Sequence, residues 1–215
     1  MPILLTPVEA RVLGSLIEKE ASTPEYYPLS LNALVNACNQ KSNRNPVLHL
    51  EEEEVLRALH RLEDDRLAGP ARGTDSRVTK YEHHLQEVFN FTRGESAILC
   101  ELLLRGPQTH GELRTRTERL HRFEEFADVV SVLQRLMQRE PALVAALPRQ
   151  PGAREIRYTH LLSGEPMPAT SSPEDPPAEQ SSSTHDRLLH LESEVYRLRQ
   201  EVSELRSQLA LLTGA

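Results

Sequence analysis

The chain has 215 residues, 38% of them hydrophobic and 4% aromatic with no Trp, which leaves room for one or two domains with small aliphatic cores. Its formal net charge of −7 argues against a protein that coats nucleic acid in bulk, although it permits a local basic patch. No stretch approaches the roughly 20 apolar residues of a membrane span. The opening MPILLTPVEAR lacks the basic start of a signal peptide, and Cys38 and Cys100 are too few for a disulfide framework. A cytoplasmic protein with two buried free thiols is the expectation.

The first element is announced by LTPVEARVLGSL at 5–16. Thr6 and Glu9 form a Thr-x-x-Glu capping box, in which hydroxyl and carboxylate satisfy opposite orphan N–H groups of a new helix. Pro7 sits at the first helical position, where its missing N–H costs nothing. A second helix is predicted from Ser30 to Cys38, with Leu31, Leu34, Val35 and Cys38 at helical spacing. A third carries Val55, Leu56, Leu59 and Leu62 after the acidic opening Glu51–Glu54. Leu67, the Gly/Pro-rich turn GPARGTDS at 69–76 and the strip RVTKYEHHL at 77–85 then read as a hairpin.

The same series follows again. FTRGESAILCEL at 91–102 repeats the capping box with Thr92 and Glu95, and Gly106-Pro107 ends that helix. THGEL opens another box with Thr109 and Glu112, and Val129, Val132, Leu133 and Leu136 give the third helix. Leu143, the turn PRQPG at 148–152 and the strip REIRYTHLL at 154–162 close the series. Arg77, Lys80, Tyr81, His83 and Leu85 match Arg154, Arg157, Tyr158, His160 and Leu162 at a constant offset of 77 residues. Each copy thus reads helix–helix–helix–hairpin, a winged helix. The fold class expected is mainly α with small β-hairpins: two tandem winged-helix domains, 1–88 and 89–163, followed by a C-terminal coiled-coil helix. In the strip, Thr79, Tyr81, His83 and Leu85 share one strand face, as do Ile156, Tyr158, His160 and Leu162, and this face is expected to pack on the domain's own helices.

Residues 164–184 are rich in Pro, Ser and Glu and read as a disordered linker. From 185 to 213 the pattern becomes a heptad seam: Leu188, Leu191, Val195, Leu198, Val202, Leu205, Leu209 and Leu212 alternate spacings of 3 and 4. Glu194 and Glu201 fall at g, and Arg199 and Arg206 at the following e, as a parallel two-stranded coiled coil requires. A homodimer is therefore expected.

The functional candidates lie where the copies differ. From the first helix to the second the offset between copies drops from 86 to 79, and at the third helix it is 74, so the first copy has longer connections on both sides of its second helix. Asn32, Asn36, Asn39 and Asn43 are spaced 4, 3, 4, with Gln40, Lys41 and Arg44 among and after them. Amides with Lys and Arg in the turn before a recognition helix suit phosphate and base-edge contacts. The alternative is that these asparagines cap the second helix and shape the turn. Further basic residues stand on turns and hairpins: Arg72, Arg77, Lys80, Arg114, Arg116, Arg119, Arg122, Arg149, Arg154 and Arg157. The carboxylates at 51–54 would repel phosphates, so backbone contact is favoured over base readout. Two Cys 62 residues apart make no zinc spacing, and no Gly-rich phosphate loop is present, so no metal, cofactor or enzymatic activity is expected.

The strips TPEYYPLSLNALVNACNQKSNRNPV (23–47), RVTKYE (77–82), LLLRGPQTHGELRTR (102–116) and REIRYTHL (154–161) resemble the YceH-like family of uncharacterised bacterial proteins. The resemblance covers residues 5–163 and leaves the heptad tail outside the shared core. It implies a tandem winged-helix fold and transfers no activity, ligand or catalytic residue. The reading reached is a non-enzymatic protein that binds duplex DNA in a regulatory role; the alternative is a subunit or scaffold that binds a protein partner.

Overall fold

The computed structural model describes residues 3–71, 78–149 and 155–164. The chain divides into a unit spanning 1–167 and another spanning 168–215, and all described residues belong to the first. The heptad seam from Leu188 to Leu212, the 164–184 linker beyond Gly164, and Arg72, Arg77 and Arg154 lie outside the described residues.

The first copy contains α1 (Pro7–Ser22), β1 (Leu29–Ser30), α2 (Leu31–Cys38), α3 (Glu52–Asp64), β2 (Ala68–Pro70) and β3 (Lys80–His83). A short helix, α4 (Leu85–Phe89), leads to the second copy: α5 (Arg93–Arg105), β4 (Gln108–Thr109), α6 (His110–Arg116), α7 (Phe126–Gln138), β5 (Val144–Ala146) and β6 (Arg157–His160). The protein is thus mainly helical with small antiparallel sheets, as expected. The repeat boundary at 88–89 falls inside α4.

The capping boxes form as read. Thr6 N–H donates to Glu9 Oε2 at 2.8 Å while Glu9 N–H donates to Thr6 Oγ1 at 3.3 Å. Thr92 with Glu95 and Thr109 with Glu112 repeat the exchange. The acidic opening of α3 has the same local cause: Glu51 and Glu54 make a reciprocal box, and Glu51 N–H donates to Glu54 Oε2 at 2.9 Å.

Each sheet has three strands, in the orders β1-β3-β2 and β4-β6-β5. The repeated strip supplies the central strand of both. Tyr81 stands between Leu29 and Pro70, and Tyr158 between Gln108 and Ala146. This is why the strip recurs: a central strand must satisfy partners on two edges and one helical layer. Tyr81 and Tyr158 pack against the core as half-buried rings. The two-residue strands β1 and β4 and the helix α4 were not anticipated; two-residue strands are too short to carry alternation, and α4 spans little more than one turn.

The two copies share one core, running from Leu5 to Leu162. At its centre α1 lies against α5, and both are buried along most of their length. Gly14 marks the crossing. A Cβ there would stand 2.9 Å from Leu104 Cδ2 and 3.1 Å from Leu103 Cβ, while Cys100 Sγ lies 3.4 Å from the Gly14 carbonyl oxygen. Leu5 N–H also donates to the Leu162 carbonyl at 2.6 Å, tying the two ends of the described unit.

Candidate nucleic-acid interface

The connection between α2 and α3 is the longer counterpart of the α6–α7 turn, and the structure decides which of its polar groups face solvent. Asn39 is the C-cap of α2, and its side chain closes the connection on itself. Its Nδ2 donates to the Leu50 carbonyl at 2.8 Å, and its Oδ1 accepts from Leu50 N–H at 2.7 Å. Asn43 adopts a left-handed backbone, φ 60°, and its Oδ1 accepts from Arg105 on α5. Asn45 N–H donates to the Leu104 carbonyl at 3.0 Å. The connection is therefore seated on the second copy.

Arg44 corrects the sequence reading most sharply. Its side chain has no exposure, and its Nη atoms donate to both oxygens of Glu18 on α1, at 2.5 and 3.1 Å. It also holds the Ala37 carbonyl at 2.8 Å and Gln40 Oε1 at 3.2 Å. A guanidinium so enclosed is not presented to a phosphate. Lys41, by contrast, is exposed, and Asn32 and Asn36 bond each other at 3.0 Å on the exposed face of α2.

Glu18 is the hub of a buried ionic cluster that the sequence reading missed. Besides Arg44 it holds Arg119, which also lies 3.6 Å from Glu101 on α5. Arg105 Nε stands 2.8 Å from Glu101 Oε2, an ion pair without a well-aligned hydrogen bond. Burial pushes the Glu18 carboxyl up, but the hydrogen bond and charge of Arg44, then of Arg119, outweigh it and hold the group below the ordinary carboxylate range. Burial dominates at Glu101, which is raised against the opposing charges of Arg105 and Arg119. Nearby, Arg11 donates to the carbonyls of Cys38 at 3.1 Å and Pro46 at 2.6 Å. The available signal was the position of Glu101 inside the apolar run AILCELLL, where a charge needs a buried partner.

Several hairpin and turn cations are likewise engaged. Arg157 on β6 holds the Pro107 carbonyl at 2.9 Å and Glu112 at 3.1 Å, and Arg116 lies 3.4 Å from the same Glu112. Arg114 is exposed and donates to the Glu124 carbonyl at 2.9 Å. Lys80 on β3 is half-buried opposite Ser30. The two strip histidines diverge. His83 Nε2 lies 2.8 Å from Glu20 Oε2, and its backbone N–H donates to the Tyr27 hydroxyl at 2.7 Å. His160 has a buried Nδ1 with no partner among the described residues, and burial pushes its pKa down to about 4.

Both thiols are buried, as expected, and Cys38 is pushed up to about 11 by burial. Among the described residues no cluster of three or more His, Cys, Asp or Glu could hold a metal ion, and no helix is long and apolar enough to cross a membrane.

The comparisons with known proteins agree with the resemblance seen in the strips. A family model described as Protein of unknown function, DUF480, matches residues 5–153. A UPF0502 protein of Koribacter versatilis is 55% identical over 217 residues, covering 99% of either chain. One of Geobacter sulfurreducens is 54% identical over 218 residues, covering 97% of this chain and 99% of its own. One of Citrifermentans bemidjiense is 60% identical over 166 residues, 77% of each. The first two matches run on through the heptad tail, which the family model leaves out. By the family match over most of its length and by these relatives, the chain belongs to the DUF480 family of bacterial proteins.

Proposed function

We propose that the chain is a non-enzymatic tandem winged-helix protein of the cytoplasm that binds duplex DNA in a regulatory role. The observation that carries this reading is the matched order in both copies: helix, short strand, two helices, then two strands, with the last strand central in each sheet. A three-helix unit with an appended sheet presents its third helix and its hairpin on one side, the arrangement that helix-turn-helix proteins lay against a duplex. Fold analogy alone does not assign a task, so charge must support it. The exposed cations Lys41 and Arg114 and the half-buried Lys80 favour contact with phosphates, and the sequence adds Arg72, Arg77 and Arg154, which lie outside the described residues. Affinity is modest and weakly sequence-specific, because Glu51, Glu52 and Glu53 are exposed where α3 begins.

The heptad seam from Leu188 to Leu212 supports a homodimer, which would engage two duplex segments at once. Light scattering on a chain ending at residue 167 tests this: a monomer is expected, and a dimer overturns it.

A protein partner is the second reading, favoured by the exposed face of α7. Phe126 and Met137 are 43% and 37% exposed there, on a helix with few cations to offer a phosphate. Fluorescence anisotropy on mixed-sequence duplexes from about 50 to about 200 mM salt separates the readings. Binding that falls steeply with salt supports DNA; no binding at low salt transfers the assignment to a protein partner.

A further inference from the structure

Nine arginines among the described residues are already committed. Among the described residues, seven hold carboxylates: Arg44, Arg57, Arg105, Arg116, Arg119, Arg139 and Arg157. Arg11 and Arg114 hold backbone carbonyls. Arg61, Arg66, Arg93, Arg122 and Arg135 remain exposed, and three of these, Arg93, Arg122 and Arg135, come together. None of the three has a side-chain ion-pair or hydrogen-bond partner among the described residues. All three line one groove of about 390 Å³ on the second copy.

Three separate elements bring them together. Arg93 opens α5, Arg135 lies on α7, and Arg122 stands in the turn between α6 and α7. Phe123 fixes that turn. The residue is 6% exposed, and Gly94 lets it close on the first turn of α5, where a Cβ would stand 3.2 Å from Phe123 Cε1. The His121 ring meets the Phe123 ring edge-on at 4.6 Å. Phe123 is anchored inward, while its neighbour Arg122 is exposed and lines the groove with Arg93. Two carboxylates share the groove, Asp128 and Glu124. Asp128 is occupied: its Oδ2 accepts from Glu125 N–H at 3.0 Å in the capping box of α7.

We infer that this groove is a phosphate-binding site, with Arg93, Arg122 and Arg135 as its cationic walls. Three unpaired arginines lining one groove concentrate positive charge there, and a phosphate oxyanion would meet it with charge-assisted hydrogen bonds to planar donors suited to it. The inference rests in part on the DNA reading, which it deepens by giving the second copy the principal backbone contact. The same chemistry would hold a small phosphorylated molecule. Glu124, the carboxylate without a described partner, weakens the site and sets its ceiling.

The test uses the full chain and two probes, a mixed-sequence duplex and inorganic tripolyphosphate. Arg93→Gln, Arg122→Gln and Arg135→Gln are combined in one variant, with Glu124→Gln as a second. The arginines are exposed and unpaired, so the melting temperature of the triple variant should stay at the wild-type value. Expected results are loss of tripolyphosphate binding in the triple variant, a reduction of the duplex salt slope by about two to three, and tighter binding of both probes by Glu124→Gln. If the wild type binds tripolyphosphate through these arginines but no duplex, the groove stands as a small-ligand site and the DNA reading falls. If duplex binding and its salt slope survive the triple change, the DNA reading stands without this groove, and if tripolyphosphate binding survives as well, the groove is overturned. If the wild type binds neither probe, the groove is overturned as well.

Discussion

Glu18 on α1 and Arg44 in the α2–α3 connection form a two-pronged ion pair, 2.5 and 3.1 Å, from which solvent is excluded on both sides. The pair couples α1 to the connection that also bonds α5 through Asn43 and Asn45. Removing Glu18 leaves Arg44 buried without a counter-ion, and removing Arg44 leaves the buried Glu18 with only the partly exposed Arg119. Arg44→Ala should therefore cost about 3–5 kcal/mol of stability, read by thermal or urea unfolding. A variant that unfolds with wild-type stability would show that the pair does not hold the connection in place.

The same pair sets an acid limit. The folded-state pKa of Glu18 is depressed, so its stabilisation is present above the ordinary carboxylate value near 4.5 and is lost as pH falls below it. Glu101 has the opposite sign: its raised pKa makes folding more favourable as pH falls toward the ordinary value. Glu101→Gln should therefore steepen the loss of stability on acidification just above 4.5, whereas Glu18→Gln should flatten it below 4.5.

His160 gives a third pH signature. Its folded-state pKa, about 4 against an ordinary 6.5, means that the unfolded chain takes up a proton first. Stability is complete above about 6.5 and declines by up to about 3 kcal/mol as pH falls toward 4. His160→Leu, which cannot titrate, should remove that decline. Denaturant midpoints at a series of pH values measure it, and parallel curves for the two proteins would refute the assignment.

Gly14 and Gly111 make a matched pair of glycine tests. A Cβ at Gly14 would press on Leu104 and Leu103 at the α1–α5 crossing, while one at Gly111 would meet only Thr109 Oγ1 at 3.9 Å. Gly14→Ala is expected to lose about 1–3 kcal/mol through overpacking. Gly111→Ala, inside α6, should be neutral or gain a few tenths of a kcal/mol from helix propensity. Equal effects in calorimetry would contradict the close approach of the two helices.

Asn39 and Lys41 divide the same stretch by role. Asn39→Ala removes a donor and an acceptor from Leu50 and should cost about 1–3 kcal/mol. Lys41→Ala, at an exposed position, should leave the melting temperature unchanged and act only on binding. Destabilisation by Lys41→Ala would reveal a structural tie at that side chain.

Local chemistry was legible from the residues alone. A Thr-x-x-Glu box is complete within four residues, so Thr6, Thr92 and Thr109 marked three helix starts correctly. The doubled strip with Tyr81 and Tyr158 marked the repeat, because both copies need a strand with the same two-sided pairing. The fate of Arg44 was not legible. Its choice between solvent and interior depends on Glu18, 26 residues away, just as that of Asn43 depends on Arg105, 62 residues away. Whether an arginine faces water or a buried carboxylate is set by which helices pack together, and spacing along the chain does not record that. For the same reason Arg93, Arg122 and Arg135 look unrelated in sequence and line one groove only once α5, α7 and the turn held by Phe123 pack together.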